Sequence, residues 1–140
     1  RLSVVKIRIR YRDKKIHTTA LVNTGYESDM PEIHISIALA KKIGLSLDEA
    51  RSDRYSVVGG EVNVFRLGQI YVSLDLEDFS KESKEATAEA VCVVGEYEVI
   101  MNDALAEELR IEILAPRRGL WRISGERIVR ESFEPEFWRE

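Results

Sequence analysis

The chain has 140 residues, of which 44% are hydrophobic and 33% charged, which suffices for one well-packed domain and is short for two. Its formal net charge of −4 gives no overall attraction to nucleic acid or to an anionic membrane. Cys92 is the only cysteine and no apolar run approaches the roughly 20 residues of a membrane helix, so we expect no intrachain disulfide, no membrane segment and a cytoplasmic location.

The first segment is predicted to form a hairpin. Between residues 5 and 12, apolar residues at odd positions alternate with basic residues at even positions, which predicts a strand with one buried face. A reversal at 13–15 would return the chain as a second strand over 16–22. That strand runs into Asn23-Thr24-Gly25, where small and polar residues predict a tight turn.

A short helix is predicted over 36–44. Ser36 is a good N-cap, two lysines occupy the last turn, and Gly44 suits the position where a helix ends. A second hairpin is predicted over 53–76, with Gly59-Gly60 as a pliant tip. Residues 77–85 are too polar to pack, and we expect them to be solvated.

The second half of the chain alternates short apolar runs with turn residues. Asn102 or Asp103 can cap a second short helix over 104–109. Pro116 and Gly119 bound a predicted turn. Further strands are predicted over 86–94, 97–101, 111–114 and 120–123. Short strands at regular spacing with two brief helices predict a mostly-β, barrel-like domain.

Two short stretches carry a family resemblance. The run from Ala20 to Gly25 resembles the active-site loop of the retropepsin-like aspartic proteases, in which apolar residues precede Asp-Thr/Ser-Gly. The stretch from Val99 to Leu105 is similar to the family's hydrophobic-hydrophobic-Gly-polar-Asp/Asn-x-Leu motif, with Met101 where the family usually has Gly. Asn-Thr-Gly taken alone is also ordinary turn chemistry, and the order of the predicted elements is what favours the resemblance.

The resemblance implies a retropepsin-like acid-protease barrel, mostly β with one or two short helices, over residues 1–124. Residues 125–140 would be a charged C-terminal extension. By this resemblance Asn23 occupies the position of the family's catalytic Asp, Thr24 braces the loops of two chains against each other, and Gly25 supplies the turn. The residues implied in substrate binding are Tyr26 and Glu27 beside the loop, and Gly59 and Gly60 at the tip of a hairpin resembling the family's flap.

The resemblance also implies a homodimer acting on a peptide or protein, with neither metal nor cofactor. Aspartic protease chemistry needs two carboxylates that share a proton, and no Asp of this chain is followed by Thr/Ser-Gly. Because the amide of Asn23 cannot ionise, we expect the chain to be inactive. Asn23 is either a substitution that silences a protease or the mark of a natural pseudoprotease that binds peptides or acts as a scaffold. The intact Thr24-Gly25 favours the first.

Other candidate sites have structural alternatives. The basic residues between Lys6 and Lys15 could track a phosphate backbone, but the acidic total charge favours a solvated strand face whose basic side chains pair with nearby Glu and Asp. Cys92 lies between valines, as inert core thiols do, and Trp121 is expected in the core or on a dimer surface.

His17 and His34 have no cysteine partners at metal-ligand spacing, so no metal is indicated. The C-terminal aromatics are expected either to dock on a partner chain or to belong to a floppy tail: Phe133, Phe137 and Trp138.

Overall fold

Strands dominate the part of the chain that the computed structural model describes, which comprises residues 3–23, 28–48, 51–57, 60–76 and 83–140, with no side-chain description for 51–57 and 60–62. The strands are β1 (Val4–Tyr11), β2 (Lys14–Val22), β3 (Glu32–Ile35), β4 (Arg51–Val57), β5 (Gly60–Leu74), β6 (Ala86–Val93), β7 (Ile100–Met101), β8 (Ile111–Ala115) and β9 (Leu120–Ile123). The helices are α1 (Ile37–Ile43) and α2 (Asp103–Glu108).

Six of these strands close into a barrel. Neighbours follow the order β1-β2-β7-β3-β6-β5, and β5 pairs back with β1 from Ile7↔Leu74 to Arg10↔Tyr71. β4 continues the sheet beyond β5 through the pairs Arg51↔Arg66 to Val57↔Gly60. β8 and β9 form a separate two-stranded sheet. The prediction of a mostly-β barrel with two short helices is confirmed.

The core of the barrel comes from the alternation seen in the sequence. Val5, Ile7 and Ile9 on β1 are fully buried, and Trp121 on β9 is 1% exposed, so its expected place in the core is confirmed. Cys92 is also fully buried, and burial raises the pKa of its thiol, as expected of an inert core cysteine.

Helix α1 has the predicted caps. The Ser36 hydroxyl accepts a hydrogen bond from the backbone N–H of Leu39 at 3.1 Å. Gly44 has φ 92°, in the left-handed region, and its N–H closes the last turn. No helix in the described ranges has the length and apolar character needed to cross a membrane.

Several element boundaries differ from the prediction. Tyr11 pairs with Lys14, so the first turn lies at Arg12-Asp13 and not at 13–15. The strand predicted over 97–101 contains only Ile100 and Met101. The apolar pattern alone suggested a longer strand. A residue belongs to a strand only when its backbone hydrogen-bonds to a neighbouring strand, and the folded chain determines where such a neighbour lies.

The polar segment predicted over 77–85 is described only from residue 83 onward. Glu85 accepts hydrogen bonds from the Arg10 guanidinium at 2.8 and 2.9 Å, and Ser83 accepts one from the Leu74 N–H at 3.0 Å. The guanidinium lowers the pKa of the Glu85 carboxyl. Residues 83–85 therefore contact the barrel, and Arg10 is paired with an acid as the strand-face interpretation expects.

The C-terminal segment packs along the barrel of its own chain. The Ser132 hydroxyl accepts from the Val4 N–H at 3.0 Å, and the Phe133 N–H donates to the Val4 carbonyl at 3.1 Å. Further along, the Glu136 N–H donates to the Thr19 hydroxyl at 2.7 Å. The segment thus runs beside the start of β1 and across β2.

Trp138 anchors the end of this segment. Its indole N–H donates to the Thr18 hydroxyl at 2.8 Å, and its backbone N–H donates to the Tyr97 carbonyl at 2.8 Å. The ring packs against the core cluster, with the Lys42 ammonium 5.1 Å from its centroid. Trp138 is therefore packed on its own chain and is not part of a floppy tail. Docking of the C-terminal aromatics on a partner chain and a domain boundary at residue 124 stay predictions.

Replacing Trp138 by Ala should lower the free energy of unfolding by about 2–3 kcal/mol, because a partly buried indole and its hydrogen bond to Thr18 are lost. Urea unfolding of the two proteins measures this difference. Phe137→Ala is the matched control, since Phe137 is 52% exposed and should cost about 0.5 kcal/mol or less. Equal losses for the two variants would contradict the anchoring role of Trp138.

Candidate active site

Asn23 is positioned by the parallel pairing of β2 with β7. Leu21 pairs with Ile100 and Val22 with Met101. The ladder continues beyond the strands, because the Leu21 N–H donates to the Val99 carbonyl at 2.8 Å and the Asn23 N–H donates to the Met101 carbonyl at 3.1 Å. Asn23 therefore lies half-buried at the end of a strand, held by its backbone.

Met101, which stands where the resembled motif has Gly, lies in the core. It is fully buried and belongs to the same cluster as Val22 and Leu105. Its carbonyl faces Asn23 while its side chain fills the barrel interior. The thioether thus contributes to the packing beneath the loop.

The next residue, Asn102, is a fully buried polar side chain with several partners. Its Oδ1 accepts from the Leu105 N–H at 3.0 Å, which makes it the N-cap of α2. The same oxygen accepts from the Glu32 N–H at 3.0 Å, and Nδ2 donates to the Met30 carbonyl at 2.9 Å. One side chain thus joins the start of a helix to the segment that follows the candidate loop.

A groove of about 550 Å³ adjoins that segment. On one wall the Glu32 carboxylate accepts from the Ser28 hydroxyl at 2.8 Å and lies 3.4 Å from an Arg66 nitrogen. The side chains of Glu32 and Arg66 are 8% and 19% exposed, so this ion pair is largely shielded from water. The groove is lined by Ser28, Asp29, Met30, Pro31, Glu32, Arg66, Gln69, Thr87, Ala88 and Glu89.

The predicted site residues are only partly described. Asn23 lies at the end of β2, and Gly60 is the first residue of β5, paired with Val57. The two strands of the predicted flap-like hairpin therefore form an antiparallel pair. Four residues of the loop and one at the hairpin tip lie outside the described residues, so their predicted roles stay predictions: Thr24, Gly25, Tyr26, Glu27 and Gly59.

Part of the role of Asn102 and the whole Glu32–Arg66 pair could not be predicted from the sequence. An Asn before a helical run signals an N-cap, and that signal identified Asn102 correctly as a candidate cap. Its contacts with Met30 and Glu32 join residues about seventy positions apart, and no local pattern predicts them. The same holds for Arg66 and Glu32, which meet across the sheet.

The two histidines have different surroundings. Over the described part of the chain, no three His, Cys, Asp or Glu side chains are grouped as metal ligands. His17 contacts the Asp75 carboxylate at 2.9 Å on the surface. His34 is half-buried on β3, and desolvation lowers its pKa although nearby Glu32 opposes this effect.

The chain resembles known proteins in structure but not in sequence. No protein-family model matches the chain, and no curated protein matches it in sequence. Among solved structures, the chain is similar to a retropepsin-like aspartic protease from Rickettsia conorii, with a TM-score of 0.46 and 14% identity. The match covers 81% of this chain and 84% of that one.

The lowered pKa of His34 predicts a pH dependence of stability. The unfolded chain binds the proton at its ordinary pKa of about 6.5 and the folded chain only at lower pH. Folding stability should therefore fall as pH decreases from about 6.5 towards the folded-state pKa, and be unaffected by His34 above that window. His34→Gln should remove this part of the slope in urea unfolding series, whereas His17→Gln should retain it. An unchanged slope in His34→Gln would contradict the assignment.

Proposed function

We propose that the chain is an aspartic endopeptidase of the retropepsin type, with Asn23 in the position of the catalytic Asp. The observation that carries the proposal is the placement of Asn23 at the end of β2, with its N–H bound to the Met101 carbonyl. This bond joins the two stretches of sequence on which the resemblance rests. A closed barrel of the expected class supports it.

The proposed reaction is hydrolysis of a peptide bond by an activated water. In an active pair, one carboxylate takes a proton from the water while the other protonates the carbonyl oxygen of the substrate. One chain supplies one such position, so the functional unit is a homodimer in which the residues at position 23 face each other. Thr24 and Gly25 brace and shape each loop in this proposal.

A peptide or protein would bind across the two loops. Tyr26 and Glu27 would contact it beside position 23, and the Gly59-Gly60 hairpin tips would cover it as flaps. The reaction uses neither metal nor cofactor. Asn23 cannot ionise or accept the proton that water must lose, so the protein with Asn23 is inactive in this proposal.

A second candidate function is a naturally inactive, peptide-binding or scaffolding dimer of the same fold. The observation that favours it is Asn23 itself, because an amide has the size of a carboxylate and can still bind a peptide by donating and accepting hydrogen bonds, without acid-base chemistry. The two functions predict different behaviour when the carboxylate is restored.

Asn23→Asp should create peptidase activity. General acid-base catalysis contributes roughly 10²- to 10⁴-fold, so cleavage of a mixed peptide library should exceed that of the Asn23 protein by at least this factor. Mass spectrometry of the library between acidic and neutral pH measures the products, and Asn23→Ala is the inactive control. Absence of cleavage by Asn23→Asp, with peptide binding retained, would favour the pseudoprotease.

The proposed site also requires two chains. Sedimentation equilibrium should give a mass near twice the 16.1 kDa of one chain at micromolar concentration. The carboxylate of Asn23→Asp should not be needed for this association, so both proteins should sediment alike. A monomer over the whole concentration range in which Asn23→Asp cleaves peptides would contradict the dimeric site.

A further inference from the structure

The candidate loop is fastened at both of its ends to two consecutive residues. At the start, the Asn23 N–H donates to the Met101 carbonyl at 3.1 Å. At the far end, the Met30 carbonyl and the Glu32 N–H both bind the side chain of Asn102, at 2.9 and 3.0 Å. The loop that starts at Asn23 and ends at Met30 therefore has both of its ends bound to the Met101-Asn102 dipeptide, which sets the distance between those ends.

The backbone of Asn102 adds to this attachment. Its N–H donates to the Glu32 carbonyl at 3.2 Å, so Glu32 exchanges hydrogen bonds with both the backbone and the side chain of Asn102. The residue is fully buried, which removes water as a competitor for these bonds. Helix α2 begins at the next residue and is capped by the same Oδ1.

From these contacts we propose that Asn102 is a positioning residue for the group at position 23. This inference rests on the proposed function, in which that group must face its counterpart from a second chain. Asn102 acts through Met30 and Glu32: it fixes the far end of the loop relative to β7, and β7 fixes the near end through Met101. It contacts neither substrate nor reacting atoms in this proposal.

The chemistry of the side chain explains why an amide is required. Oδ1 has two lone pairs, which the Leu105 and Glu32 N–H groups use, and Nδ2 supplies the donor that the Met30 carbonyl needs. A carboxylate could accept both N–H groups but has no donor for Met30. Asn102→Asp therefore keeps the helix cap, removes one contact, and sets two oxygens against each other.

The activity test uses the Asn23→Asp protein as its reference. Adding Asn102→Asp should reduce kcat by about 100-fold near neutral pH, with little change in KM, because misplacing a reacting group by about 1 Å costs that much. As pH falls towards the ordinary Asp pKa of about 4, the introduced carboxyl gains a proton that it can donate to Met30. The ratio of kcat between the two proteins should therefore narrow at low pH.

The control is Ser36→Ala, which removes the N-cap of α1 and leaves the Asn102 contacts in place. It should lower stability without changing kcat. If Ser36→Ala and Asn102→Asp reduce kcat alike, or if Asn102→Asp leaves kcat and its pH profile unchanged, the positioning role is overturned.

Amide hydrogen exchange tests the same role without catalysis. In the Asn23 protein, repulsion between the Asn102→Asp carboxylate and the Met30 carbonyl should displace the far end of the loop from Asn102. Exchange of the Glu32 and Asn23 amides should therefore become faster, while the Leu105 amide, still capped, keeps its protection. This pattern in a protein whose Asn23→Asp form does not cleave peptides would retain the positioning of the loop and discard the protease. No change at Asn23 and Glu32, or an equal change throughout the barrel, would overturn the inference.

Discussion

The structure depends on the short parallel pairing of β2 with β7. β7 contains only Ile100 and Met101, yet it lies between β2 and β3 and so completes the barrel. A ladder of this length is weak by itself, and two further backbone bonds extend it: Leu21 N–H to Val99 and Asn23 N–H to Met101. On the other side of β7, the bond from Asn102 N–H to Glu32 extends the pairing with β3. The chain thus closes its barrel at the same place where it holds the candidate loop.

The C-terminal segment completes the hydrogen bonding of β2. Thr18 and Thr19 are 3% and 2% exposed, and a buried hydroxyl needs a partner. The indole N–H of Trp138 and the backbone N–H of Glu136 supply donors to these two hydroxyls. The segment beyond β9 is therefore part of the packing of the barrel, although its composition is that of a solvated tail.

Local patterns predicted those parts of the fold that local physics determines. The alternation in β1 gave a strand with one buried face, and the Ser36 and Gly44 caps gave the limits of α1. The extent of β7 and the course of the C-terminal segment depend on which residues from distant parts of the chain lie beside them. No short stretch of the sequence predicts those neighbours. The same distinction applies at the site: the cap at Asn102 was predictable, whereas its bond to Met30 was not.

The attachment of Asn23 separates the fold of the candidate site from its chemistry. The bond to Met101 uses the backbone N–H, which every residue except proline provides. Exchanging a carboxylate for an amide at position 23 therefore leaves the β2–β7 ladder and the Asn102 contacts intact. Under the proposed function, the backbone at position 23 of the two chains can present either two ionisable Asp side chains or two neutral Asn side chains. Met101 and Asn102 set the position of that backbone in both cases. The identity of one side chain would then decide between cleaving a bound peptide and only holding it.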